Sequence, residues 1–151
     1  MSLLGADVLA GTPLFDAFIK EVVKEMTTKA GQKCTAIRRI MVPASQIDAV
    51  AEALSARLAK VVVGDPRNEG VRMGPLMNKS QQQAAEEGLT VLLQETELVF
   101  GGGKDFSPVA EDPAAGCFMQ PTLLRCDEPL QAQRIHDTEV FGPVSTLMAY
   151  Q

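Results

Sequence analysis

Short runs of β-branched and apolar residues alternate along this chain with longer segments whose apolar residues recur at helical spacing. That alternation allows little besides an α/β domain with a mostly parallel sheet flanked by helices. The first helical segment opens at Thr12-Pro13, where Thr can cap free amides and Pro suits the first helical position. Leu14, Phe15, Phe18, Ile19, Val22, Val23 and Met26 then make one broad apolar face, with Lys20, Glu21, Lys24 and Glu25 opposite. Lys29 and Gly31 predict a stop near Ala30. Residues 37–42, apolar apart from Arg38 and Arg39 and closed by Pro43, predict a short strand. A second helix is expected from Ser45, with Asp48 as a capping partner, and it should end at Gly64-Asp65-Pro66. A third is expected over residues 79–95 despite Gly88. Residues 97–100 read as a strand. Residues 118–124 read as an edge or irregular strand broken by Pro121, and a last strand starts at Val144.

The 151 residues are enough for one domain, and 46% apolar with 22% charged residues is globular composition. A net charge of −5 leaves no basic footprint for nucleic acid. No apolar run nears the ~20 residues that cross a bilayer, and the opening residues do not read as a secretory leader, so no membrane association and a cytoplasmic location are expected. Met1-Ser2-Leu3 reads as an expression remnant. Residues 1–5 are therefore set aside as tag or linker, and residues 6–151 as the domain. Three cysteines, an odd number without CxxC spacing, predict neither a disulfide framework nor a metal site.

Cys34 stands out because it lies on a loop between a helix and a strand, with Lys33, Arg38 and Arg39 close by in sequence. Cations favour thiolate over thiol, and nucleophiles sit on loops carried by rigid scaffolds. The plainer reading is a small buried hydrophobe. Cys126 adjoins Asp127 and Glu128, whose charge raises a thiol pKa, and Cys117 follows Gly116 at a strand start, so both read as inert. His136 is the only histidine. A cysteine hydrolase or acyltransferase would have to pair it with Cys34, and otherwise it is an ordinary loop histidine. Gly101-Gly102-Gly103-Lys104 follows a strand, but Asp105 and Phe106 break the phosphate-loop patterns, leaving a plain turn.

Gly31-Gln32-Lys33-Cys34-Thr35, after a long amphipathic helix and before a short strand, resembles the catalytic-cysteine segment of the aldehyde dehydrogenase superfamily. Glu139-Val140-Phe141-Gly142-Pro143-Val144 is similar to that family's second signature, about a hundred residues further on. Gly64-Asp65-Pro66, Gly74-Pro75-Leu76, the glycine triplet and Gln120-Pro121-Thr122-Leu123 follow in the family's order, so the likeness runs from Thr12 to Tyr150. The string from Lys29 to Arg39 resembles the branch containing the aldehyde dehydrogenase half of the bifunctional ring-opening enzyme of phenylacetate degradation.

The resemblance implies NAD- or NADP-dependent oxidation of an aldehyde, with Cys34 as nucleophile, Glu139 holding the nicotinamide ribose and Phe141 packing beside it. Gln81 is a looser match near a cofactor contact. It further implies a homo-oligomer and a partial catalytic domain. The cofactor-binding fold, the water-activating glutamate and the oxyanion-hole asparagine belong upstream of the cysteine in the family, so this stretch alone is expected to be inactive. A non-catalytic assembly module is the remaining alternative.

Overall fold

The computed structural model describes residues 1–103 and 106–151, so Lys104 and Asp105 of the glycine-rich turn lie outside the described residues. Its elements are β1 (Ser2–Leu3), α1 (Pro13–Thr27), β2 (Arg39–Pro43), α2 (Ile47–Leu58), α3 (Lys79–Leu92), β3 (Glu97–Phe100), β4 (Thr122–Cys126), α4 (Arg134–Asp137) and β5 (Val144–Tyr150). The five strands form one sheet in the order β1-β2-β5-β4-β3. All neighbours are parallel except β3 and β4. The expected α/β architecture is the one observed.

Both faces of the sheet are covered, and the side-chain period of two sorts β-strand residues between them. Ile40, Val42, Leu123, Leu147 and Ala149 pack under α1 and α2 against Phe15, Ile19, Val22, Met26, Val50 and Leu54. Leu124, Cys126, Val144 and Met148 face the other way, onto Leu89, Leu92, Met119, Ile135 and Val140. Gly88 interrupts α3 for a packing reason, because a Cβ there would stand 2.8 Å from Val140 Cγ2.

Several sequence expectations need correction. The opening residues take part in the fold, since Ser2 and Leu3 pair with Ile40 and Met41, and Leu4 is buried. Helix α1 stops at Thr27, short of Ala30. The Thr27 and Thr28 hydroxyls donate to Val23 O (2.8 Å) and Lys24 O (2.7 Å), and so satisfy terminal carbonyls locally. Helix α2 begins at Ile47 without a side-chain cap, and Asp48 accepts from Arg125 Nη1 at 2.6 Å instead of closing a capping box. Strand β4 is internal, not an edge, because Pro121 precedes its first residue and removes no ladder hydrogen bond. Helix α4 carried no signal strong enough to read in the sequence.

Candidate active site

The segment after α1 turns through three consecutive left-handed residues, Lys29 (φ 53°), Ala30 (φ 52°) and Gly31 (φ 70°). Two are not glycine, and left-handed backbone costs an L-residue roughly 1–2 kcal/mol. Packing holds the bend. Gly31 lies so close to Gly142 that a Cβ would collide with the Gly142 carbonyl and come within 2.9 Å of Pro143 N. The turn therefore seats directly on the segment that leads into β5.

Cys34 and Thr35 are the exposed central residues of the next turn, which Ala36 N–H closes by donating to Lys33 O at 3.2 Å. The Cys34 N–H has no backbone acceptor among the described residues. Gln32 Oε1 accepts from Met77 N–H at 2.9 Å, tying this loop to the Gly74-Pro75 segment. Lys33, invoked from the sequence as a neighbouring cation, places its Nζ 2.7 Å from Glu25, so its charge is already partnered.

Arg38 is the better-placed cation, and sequence reasoning counted it only as nearby charge. Its Nε donates to Glu139 Oε1 at 3.0 Å, Nη1 and Nη2 both donate to Gly31 O at 3.2 Å, and Nη2 donates to Lys33 O at 3.2 Å. The guanidinium carbon lies 5.0 Å from the centroid of the Phe141 ring. The missed signal was two arginines in an otherwise apolar strand, since buried charge requires partners. Arg39 answers the same description differently, donating to Ile135 O and His136 O at 3.0 and 2.6 Å.

Cys34, Glu139 and Phe141 are thus drawn to one end of the molecule, where β2 and β5 begin. This is the reverse of the carboxyl-end crevice typical of open parallel sheets. The Glu139 side chain is 64% exposed, and its paired guanidinium only 14%. Beside them is a cavity of about 520 Å³, walled by Lys29, Ala30, Gln32, Gly74, Pro75, Met77, Gln81 and Phe141. Neither Cys34 nor Glu139 lines it; Gln32 and Phe141, each two positions away from one of them in sequence, do.

His136 does not join them. Its Nε2 donates to Pro129 O at 2.7 Å, and its ring lines a separate cavity with Met41, Ala44 and Tyr150 at the carboxyl ends of β2 and β5. Nothing among the described residues connects it to Cys34. Burial pushes the Cys126 thiol pKa up; a hydrogen bond from the Glu128 backbone opposes the rise, and the charges of Asp127 and Glu95 add to it. Iodoacetamide at neutral pH should accordingly label Cys34 well before Cys126. Peptide mass mapping at partial reaction checks this, and faster modification of Cys126 would contradict the structure.

The aldehyde dehydrogenase family profile matches residues 8–151. Among characterised relatives, 3,4-dehydroadipyl-CoA semialdehyde dehydrogenase of Aromatoleum evansii is 58% identical over 149 residues, 99% of this chain and 29% of that protein. Hydroxyisobutyraldehyde dehydrogenase of Mycolicibacterium austroafricanum is 35% identical over 143 residues, 95% of this chain and 27% of that protein. A betaine aldehyde dehydrogenase double mutant from Staphylococcus aureus, solved with NAD+, superposes with a TM-score of 0.79 at 28% identity, over 99% of this chain and 28% of its own. A mutant of aldehyde dehydrogenase C from Pseudomonas syringae, solved with NAD+ and octanal, gives 0.78 at 27% identity, over 99% of this chain and 29% of its own. The chain spans under a third of the length of these relatives. With a profile covering nearly all of its residues and the same fold in solved members, the chain belongs to the aldehyde dehydrogenase family.

Proposed function

We propose that this chain supplies the nucleophile and part of the cofactor clamp for NAD(P)-dependent oxidation of an aldehyde to an acid, with a CoA-linked semialdehyde from aromatic catabolism as substrate. The observation that carries the reading is the seating of Gly31 on Gly142, which brings the Cys34 turn against the Glu139–Phe141 segment across about a hundred residues of sequence. The substrate class follows from the 58% identity to the Aromatoleum enzyme.

The residues fit the nicotinamide-ribose half of a dinucleotide. Glu139 is exposed and has one carboxylate oxygen engaged by Arg38, leaving the other to accept from ribose hydroxyls. Phe141 offers a half-exposed aromatic face at the cavity wall. When bound, NAD(P)+ supplies the acceptor for the hydride that leaves the substrate carbon.

Cys34 performs the covalent step. Its sulfur, as thiolate, forms a C–S bond to the aldehyde carbon, and the carbonyl electron pair moves onto oxygen. The Cys34 N–H, which has no backbone acceptor among the described residues, donates to that oxyanion in this reading. Once the C–H bond has given up its electron pair, the C=O bond re-forms and an acyl thioester remains on sulfur. Water cleaves it, releasing the acid and returning the thiol.

The test is aldehyde-dependent reduction of NAD+ or NADP+ by the product of the intact gene, with 3,4-dehydroadipyl-CoA semialdehyde compared with simple aldehydes. Turnover restricted to the CoA-linked substrate supports the whole reading, simple aldehydes alone refute the substrate class, and no turnover refutes the activity. Glu139→Gln should raise the KM for NAD(P)+ by roughly tenfold or more, because a charge-assisted hydrogen bond to ribose is lost. An unchanged KM would remove Glu139 from the cofactor clamp.

A further inference from the structure

We propose that Arg38 is a positioning residue, whose single guanidinium sets the Cys34 turn and the Glu139 carboxylate in register with each other. The inference rests on the function proposed above and adds a part that the resemblance does not assign. The guanidinium donates to Gly31 O and Lys33 O on the nucleophile side and to Glu139 Oε1 on the cofactor side, and it stands over the Phe141 ring. Arg38 therefore touches both halves of the site but is itself mostly buried.

The geometry needs such a part. The carbonyls of Gly31 and Lys33 lead into the turn that carries Cys34, Lys33 being its first residue, and the stretch just before it is left-handed at two non-glycine residues, a conformation that persists only where its surroundings hold it. Glu139, for its part, is largely in solvent, and a carboxylate in solvent samples many rotamers unless something pins it. A planar fork with five donors satisfies both needs at once, and a lysine's single ammonium cannot. Arg38 thereby converts an exposed carboxylate into one with a fixed orientation. It does the same for the peptide units beside the nucleophile.

The experiment uses the product of the intact gene as wild type, Arg38→Lys, Arg38→Met, Glu139→Gln and the Arg38→Lys/Glu139→Gln double variant. KM for NAD(P)+, kcat and the Cys34 alkylation rate are measured, with Cys34→Ser as the reference for loss of chemistry. Arg38→Met should raise the cofactor KM at least tenfold and change the Cys34 alkylation rate several-fold in the absence of any cofactor. Arg38→Lys should recover part of the KM effect and little of the alkylation effect. In the double variant the KM increases should fall well short of multiplying, because both changes break the same contact. If Arg38→Met does not fold, the lysine variant and the double variant carry the test alone. Multiplicative KM effects, or Arg38 variants that match wild type in both KM and alkylation, overturn the positioning role. Full activity in Cys34→Ser overturns the underlying function instead, so the two failures are told apart.

Discussion

Cys34→Ser in the product of the intact gene should lower aldehyde oxidation by at least about a thousandfold, with the fold left intact. The residue is exposed in the turn between α1 and β2, so exchanging sulfur for oxygen disturbs no packing, and stability should stay within about 0.5 kcal/mol of wild type. The chemistry suffers on two counts. A serine hydroxyl is a far weaker nucleophile near neutral pH, and no general base stands beside position 34 among the described residues, since Glu25 pairs with Lys33 and Glu139 with Arg38. An oxygen ester is also slower to deacylate than a thioester. Steady-state rates with coincident denaturation curves would bear this out. Near-normal turnover in the variant would remove Cys34 from the reaction.

Gly31→Ala should be the most damaging small substitution near the site. Gly31 has φ +70°, which an alanine adopts only at a cost of about 1 kcal/mol, and its new Cβ would be driven into the backbone of Gly142 and Pro143. Backbone on both sides cannot yield as a flexible side chain does. The expected destabilisation is roughly 2–4 kcal/mol, in the range of a badly overpacked core position. Gly70→Ala is the control. That glycine also has positive φ, +91°, yet nothing lies within 4 Å of an added Cβ, so only the conformational cost of about 1 kcal/mol applies. Urea midpoints for the two variants separate the terms. Equal losses would mean that the seating of Gly31 on Gly142 contributes nothing. Because that contact also brings the Cys34 turn to the Glu139–Phe141 segment, the function proposed above predicts that Gly31→Ala weakens NAD(P)+ binding as well and that Gly70→Ala does not.

The sequence carried the architecture well because its signals were local. The Thr12-Pro13 start of α1 is observed as written, with Phe15 N–H donating to Thr12 Oγ1 at 3.3 Å, and the apolar stripe from Phe15 to Met26 is the buried face. Cys34, Glu139 and Phe141 were singled out as residues of a known pattern, and the structure gathers them at one end. Legibility failed wherever the answer depended on residues far away in the chain. Ser2 and Leu3 read as an appendage because a two-residue strand has no period of its own; only its partners Ile40 and Met41 make it one. Pro121 suggested an edge, when the edge on that side of the sheet is β3, whose exposed Glu97 and Leu98 gave no such sign. The two roles of Arg38 and Arg39 could not be separated by eye, because one reaches Glu139 and the other Ile135 and His136, each about a hundred positions away.

Strands β2 and β5 are immediate neighbours, with Arg39 opposite Thr146, and each is entered from one of the two site loops. The two site loops therefore spring from adjacent strands, about 4.8 Å apart, and the long excursion through α2, α3, β3 and β4 returns to them at residues 74–81, where Met77 N–H donates to Gln32. Insertions and deletions in that excursion outside residues 74–81 should leave the two loops side by side so long as the β2–β5 pairing survives. Peripheral loops of such a chain can therefore be remodelled, and with them its outer surface, while the two loops at the ladder's foot keep their adjacency.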